Sequence, residues 1–294
     1  MTDSFAPDAG RAVIVTGAGK GLGAAFAAAC AARGDRVLVN NRISGDGPPS
    51  ADTHAAALRA RGWDAVADTH AVDAPGAAEA IVAAALAAFG RLDALILNAG
   101  IAGPAAKLPD LGEAALREVM AINFFANAAL VDAALPHLLA APAGRIVFVS
   151  STGGLHGVRG RSAYAASKGA LTAYALSLAD EQRRGSLRVN ILCPYAATAM
   201  TGGLTADARL APDGAAAAAA WLTSSACTAT GQIWVAGAGH ARRAAAVESR
   251  NHAAASPDWF AAHADGVSVL DGAADYPGGD AAFRDFHASL GTCR

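Results

Sequence analysis

Residues 12–23 read Ala12-Val13-Ile14-Val15-Thr16-Gly17-Ala18-Gly19-Lys20-Gly21-Leu22-Gly23, a short apolar run that breaks into alternating glycines and then into the alanine-rich stretch Ala24–Arg33. Four apolar residues are too few for a helix but enough for a buried strand. A strand, a glycine turn and a helix start in that order make a seat for a pyrophosphate. Glycine lets backbone N–H groups approach the phosphates, and the helix N-terminus adds partial positive charge. A glycine turn alone also reads as an ordinary loop. Its strand-before, helix-after setting favours the nucleotide, and the spacing Gly17-x3-Gly21-x-Gly23 is neither GxGxxG nor a Walker motif. Thr16, Gly17, Lys20, Gly21, Leu22 and Gly23 are the expected contacts.

The alternation continues downstream. Short runs rich in β-branched residues or leucine recur at Val37–Val39, Leu92–Leu97, Arg145–Ser150, Val189–Leu192 and Gln232–Val235. Alanine-rich segments of helical length lie among them at Ala55–Arg61, Ala77–Phe89 and Glu113–Leu139. Repeated β-α units imply parallel strands, right-handed crossovers and an α/β fold with a Rossmann-type doubly wound parallel sheet. Residues 1–10 read as a loose terminus and residues 11–240 as the dinucleotide-binding catalytic domain. Residues 241–294 lose the alternation yet hold Trp259, Phe260, Tyr276, Phe283 and Phe286. They are expected to form a C-terminal extension that buries these rings on the substrate side or at a subunit interface.

Composition narrows the function. With 294 residues, 53% of them hydrophobic and 16% charged, the chain is apolar enough for a large core, which excludes disorder as its dominant state. Lys+Arg is 23 against Asp+Glu 25, a formal net charge of −2 with no single-sign run. No nucleic-acid partner and no membrane surface is expected. No leader or long uninterrupted apolar segment is seen, the C-terminal residues Gly-Thr-Cys-Arg lack a Ser-Lys-Leu address, and Cys30, Cys193, Cys227 and Cys293 are scattered. The expected setting is a reducing one, the cytoplasm. The eight histidines are dispersed, and no metal is expected.

After the second strand an acid ordinarily accepts the ribose 2′-OH of NAD, and an arginine accommodates the 2′-phosphate of NADP. Here the chain has Asn40-Asn41-Arg42, so NADP(H) is favoured over NAD(H), with Arg42 as the contact; a solvated surface cation is the plainer reading of Arg42. Asp73, near an expected strand end, lies at the edge where an adenine would rest; a solvated loop aspartate is an equal reading.

Tyr164-Ala-Ala-Ser-Lys168 sets a tyrosine and a lysine four residues apart, on one face of a helix. A free tyrosine, with a pKa of about 10, exchanges protons poorly near neutrality, and an ammonium beside it stabilises the phenolate. Alone, such a pair is a routine helix contact. Ser151 follows a buried strand upstream, Asn98-Ala99-Gly100 ends another, and Asn123 falls inside a long helix.

Together with Thr16–Gly23, these residues resemble the short-chain dehydrogenase/reductase family over roughly residues 11–240. The resemblance implies Tyr164 as general acid/base and Lys168 as the residue that lowers its pKa and holds the nicotinamide ribose. It implies Ser151 as the residue that orients the substrate oxygen, and Asn123 as holder of a water leading to Lys168. Asn98, Ala99 and Gly100 would line the adenosine ribose, and Pro194 and Thr198 would meet the carboxamide. Cys193-Pro194-Tyr195 through Thr201, Gly231–Gly239 and the segment with Arg250-Asn251-His252 and Pro257 are similar to the (3R)-hydroxyacyl-CoA dehydrogenase unit of type 2 peroxisomal multifunctional enzymes and bacterial stand-alone relatives. Those relatives usually carry an Asp where this chain has Asn41.

The implied activity is hydride transfer between a nicotinamide cofactor and a secondary alcohol or ketone. A 3-hydroxyacyl thioester, a polyketide ketone and a steroid alcohol stay open as small-molecule substrates, with Thr201–Pro212 in the position of a closing lid. A dinucleotide-binding protein without catalysis is the alternative from another class. The resemblance further implies a homodimer or homotetramer.

Overall fold

The computed structural model describes residues 10–196, 208–249 and 256–289. Every residue of β1 (Ala12–Val15), β4 (Ala94–Leu97) and β5 (Arg145–Val149) is buried, as strands covered on both faces must be. With β2 (Arg36–Asn40), β3 (Ala65–Asp68), β6 (Arg188–Pro194), β7 (Ile233–Gly237) and β8 (His240–Ala244) they form one sheet in the order β3-β2-β1-β4-β5-β6-β7-β8. The pairs from β3 through β7 are parallel, with Val13 beside both Val37 and Ala94 in register. Strand order reverses between β1 and β4, and a crevice opens beyond the carboxyl ends of the strands at such a point.

Two strands go beyond what apolar runs announce. β3 is Ala-Val-Ala-Asp, too small and polar to stand out, and it is the strand that precedes Asp73. β8 continues the sheet past His240, where the alternation was expected to stop, and its residues His240–Arg243 are exposed. An outer strand needs no apolar face and is protected from further pairing by its charges. It joins β7 through Ala238 and Gly239, whose φ values of +52° and +73° suit a two-residue hairpin.

Helices cover both faces. On one, α1 (Gly21–Ala32) packs against α8 (Asp213–Leu222), and Ala27, Cys30, Ala215 and Ala219 let the two approach closely. On the other lie α3 (Ala77–Phe89), α4 (Glu113–Met120), α5 (Ala126–Ala140) and α7 (Ser162–Glu181). An alanine methyl contributes about 0.8 kcal/mol on burial against roughly 1.5–3 for a leucine or phenylalanine. The strands' own Ile14, Leu95, Ile96 and Phe148, all fully buried, therefore supply more of the stability per residue than the alanine-rich helices do.

The expected helix Glu113–Leu139 is interrupted by a π-helical turn at Ala121–Phe125. The stretch Glu113–Ala140 is long and apolar enough to cross a membrane by length and composition. In this fold its two halves pack against α7 and α3. Two further helices complete this part: α2 (Ser50–Ala60) packs beside β2 and β3, and the short α6 (Gly153–His156) packs against α7.

The chain divides into two compact units, Met1–Arg243 and Ala244–Arg294. Among the described residues of the second, β9 (Val247–Glu248) pairs antiparallel with β10 (Ala274–Asp275), followed by α10 (Gly279–Ser289) and preceded by α9 (Pro257–Val267). The Tyr276 hydroxyl donates to Asp285 Oδ2 at 2.6 Å, while Phe283 and Phe286 are exposed.

Candidate active site

The turn after β1 takes its shape from backbone constraints. Gly17 and Gly21 have φ of +62° and +58°, the left-handed region that favours glycine. A Cβ on Gly23 would stand 2.2 Å from the Gly17 carbonyl oxygen and 2.6 Å from Asn98 Nδ2, so only glycine lets α1 start this close to the turn. Asn98, at the end of β4, locks that turn: its Nδ2 donates to the carbonyls of Thr16 (2.9 Å) and Gly17 (3.3 Å). Thr16 Oγ1 in return accepts from the N–H groups of Asn98 and Ala99, both at 3.0 Å.

No side chain caps α1, which leaves first-turn N–H groups for a ligand. The cavity above this turn measures about 490 Å³ and is lined by Gly17, Lys20, Gly21, Leu22, Gly23, Asn98, Ala99 and Gly100, reaching Asn41, Arg42 and Asp73 at its far end. A glycine cradle, an open helix end and that volume fit a nicotinamide dinucleotide.

The adenosine end carries no free carboxylate on β2. Asn40 is buried, and its Nδ2 donates to Asp68 Oδ1 at 2.7 Å and to the His70 carbonyl at 3.0 Å. Asp68 also accepts from the His70 N–H and pairs with the His70 ring at 2.8 Å, so its oxygens are already engaged. Asn41 Nδ2 donates to Ser50 Oγ at 2.6 Å, and Arg42 is exposed on the rim.

A second cavity, of about 620 Å³, shares Leu22, Asn98 and Gly100 with the first and is lined by Ser151, Tyr164, Lys168 and Pro194. Ser151 follows β5, and its Oγ accepts from the Gly153 N–H at 3.0 Å, which leaves the hydroxyl proton to donate elsewhere. Ser151 lies near enough to Tyr164 for its hydroxyl to act on the phenol. Burial raises the Tyr164 phenol above its ordinary pKa, against the opposing pull of the Ser151 hydroxyl and the Arg161 charge. Burial lowers the Lys168 ammonium to about 8, with Cys193 acting in the opposite direction.

Lys168 Nζ sits 5.9 Å from the centre of the Tyr164 ring and donates to the Val149 carbonyl at 2.7 Å. Desolvation is the largest influence on the phenol.

Asn123 lies in the π turn. Its Oδ1 accepts from the Ile101 N–H at 2.8 Å, and its Nδ2 donates to the Ile101 carbonyl at 2.9 Å and to Ser167 Oγ at 3.0 Å. A Cβ on Gly100 would meet Asn123 Oδ1 at 3.0 Å and Lys168 Nζ at 3.6 Å, which shows how closely the three converge. The side chain of Asn123 thus braces the loop after β4. Thr198 and residues 201–207 of the expected lid lie outside the described residues, as do Arg250, Asn251 and His252. Arg161 and Cys193 were not expected at the site. The position of Arg161 three residues before Tyr164 was the available signal, since residues so spaced share a helix face.

Residues 11–209 match the short chain dehydrogenase family. A cis-4-hydroxycyclohexanecarboxylate dehydrogenase of Sinomonas cyclohexanicum is 39% identical over 210 residues, 71% of this chain and 81% of that protein. The peroxisomal multifunctional enzyme type 2 of Mus musculus is 33% identical over 244 residues, 78% of this chain but only 32% of that longer protein. A crystal structure of a short chain dehydrogenase from Mycobacterium avium superposes with a TM-score of 0.79 at 31% identity, covering 91% of this chain and 97% of that one. The chain belongs to the short-chain dehydrogenase/reductase family. It is accordingly an oxidoreductase of the group that acts on hydroxyl and ketone carbons with a nicotinamide dinucleotide.

Proposed function

We propose that the protein is an NADP(H)-dependent oxidoreductase that interconverts a secondary alcohol and its ketone, with Asn123, Ser151, Tyr164 and Lys168 as its working residues. The observation that carries this reading is the pair of cavities joined at Leu22, Asn98 and Gly100. One has the glycine cradle; the other has Ser151, Tyr164 and Lys168 together in its lining. The dinucleotide, when bound, supplies or accepts the hydride. Tyr164 holds the proton that goes to the carbonyl oxygen in reduction and takes it back in oxidation. Ser151 donates a hydrogen bond to the same oxygen as negative charge develops there. Lys168, one helical turn from Tyr164, is placed to bind the nicotinamide ribose, and Asn123 holds the neighbouring loop in position.

The absence of a β2 carboxylate, with Arg42 at the rim, supports NADP(H) over NAD(H). Exposed Leu116, Phe125 and Leu139 on and between α4 and α5 support a homodimer or homotetramer as the working form, for which the cytoplasm is the proposed setting. A 3-hydroxyacyl thioester is the second substrate reading, favoured by the likeness to the mouse multifunctional enzyme. The test combines NADPH fluorescence on binding with NADPH consumption against a panel of ketones and 3-oxoacyl thioesters. Saturable binding and turnover of at least one class are expected. Failure to bind either NADPH or NADH overturns the reading.

A further inference from the structure

The second cavity is lined by two strong cations, Arg161 and Lys168, and by no carboxylate among its described residues. Lys168 already has a place in the proposed chemistry. Arg161 has none. It stands immediately before α7 and three residues before Tyr164, so it lies about one helical turn from the phenol. It is near enough for its charge to lower the phenol's pKa.

Arg161 is held rather than loose. Its Nη1 donates to the Gly103 carbonyl at 2.8 Å, its own N–H to the Val158 carbonyl at 3.1 Å, and its backbone bridges to Ala106. No ion pair is made to it among the described residues, and the rest of the guanidinium has no protein acceptor there. A half-buried arginine fixed by one backbone carbonyl, with its remaining donors unmatched, presents a preformed fork for an oxyanion.

The rest of the cavity lining is mostly apolar or small, with Ala102, Val158, Pro194 and Tyr195 among it. The phosphates of a dinucleotide belong to the other cavity, at the glycine turn, and do not explain this cation. We infer that Arg161 is a specificity-determining residue that binds a carboxylate on the substrate's own skeleton, so that the preferred substrate is a hydroxy acid or keto acid with a compact hydrocarbon body. This rests on the oxidoreductase reading above and deepens it. It favours the acid over the thioester, whose acyl carbonyl carries no formal charge and whose charges lie on its distant carrier. The likeness to a dehydrogenase named for a hydroxycyclohexane carboxylate agrees with it.

The test measures binding apart from turnover. Calorimetry on the full chain saturated with NADP⁺ compares cyclohexanecarboxylate with cyclohexanecarboxamide, which has a similar shape and no charge. The acid is expected to bind at least about tenfold more tightly, the size of one charge-assisted bond. That ratio is expected to fall to about one in Arg161→Gln and to recover in part in Arg161→Lys, which keeps the charge without the planar fork. Circular dichroism on both variants separates lost folding from lost recognition. If Arg161→Gln does not fold, a ratio in Arg161→Lys as large as in the wild type decides against the guanidinium fork. Equal affinities for acid and amide in the wild type, binding of neither, or a preference that survives in Arg161→Gln overturns the inference. A preference for the acid with no oxidoreduction of 4-oxocyclohexanecarboxylate or any ketone in the panel instead overturns the oxidoreductase reading and leaves Arg161 as an anion site.

Discussion

Lys168 Nζ donates a hydrogen bond to the Val149 carbonyl at 2.7 Å, tying the middle of α7 to the end of β5 through a buried ammonium. Few positions place a formal charge so deep. One carbonyl is thin compensation for the water it displaces.

A pH signature in stability follows. Burial brings Lys168 from an ordinary 10.5 to about 8, so between those values the unfolded chain binds the proton and the folded chain does not. Stability gains with rising pH wherever the unfolded state holds more protons. The penalty of burying the charge is therefore complete below pH 8 and relieved toward 10.5. In Lys168→Met that penalty is absent, so the stability difference between wild type and variant should change by about 2 kcal/mol between pH 8 and 9.5, in favour of wild type. Urea unfolding of the ligand-free proteins at the two pH values checks it. A difference that stays constant means the lysine is solvated in solution.

Tyr164→Phe removes the transferable proton while keeping the ring in place. A loss in kcat of more than about a thousandfold is expected, with the Kd for NADPH changed by less than about threefold. Single-turnover kinetics alongside fluorescence titration gives both numbers. Activity within tenfold of wild type removes Tyr164 from the chemistry.

Arg42→Ala is expected to weaken NADPH by about 1.5–3 kcal/mol, roughly tenfold or more, and to leave NADH almost unchanged. The measurement is the ratio of the two dissociation constants. Equal losses for both cofactors, or a wild-type preference for NADH, would place ribose recognition elsewhere, with Asn41 and Asp73 the next residues to vary.

The two glycines at the start of α1 should respond differently to alanine. At Gly21 the added methyl meets nothing within 4 Å, and the cost is that of a left-handed φ, about 1–2 kcal/mol. At Gly23 the methyl collides with the Gly17 carbonyl, so the turn itself must move. Gly23→Ala is expected to lose NADPH affinity at least tenfold more than its change in melting temperature accounts for when judged against Gly21→Ala. Similar behaviour of the two variants would show that the turn is pliable.

Legibility differed with the kind of residue that carries each feature. β1, its glycine turn and α1 could be read directly, because strand, turn and helix each have their own residue types and appear in order. The Tyr164, Lys168 and Ser151 grouping was legible through spacing and resemblance, and the structure brings all three to one cavity. β3 was expected only as a strand ending near Asp73, since Ala65–Asp68 offers too little apolar bulk to register, and β8 was missed because His240–Ala244, lying outermost, needs none. The π turn at Asn123 left no trace in composition, and the bonds from its side chain to Ile101 join residues distant in sequence. Whether Lys168 would face the phenol or a strand carbonyl was likewise beyond residue spacing, which fixes a helix face but not the direction of a long flexible side chain.

The wall of the second cavity formed by Gly100, Ala102, Ala196, Gly237 and Ala238 is already almost bare backbone. A methyl on Gly237 would stand 2.3 Å from the Tyr195 carbonyl oxygen, and the start of α8 crowds the Ala238 turn just as tightly through Gly214. Mutation on this side can only subtract room. A lineage, or an engineer, seeking a bulkier substrate has to trim the larger lining side chains at Leu22, Val158, Tyr195 or Leu210, or else rebuild the hairpin itself. Adaptation of the enzyme to new molecules is thus asymmetric: narrowing is open at many positions, and widening at few.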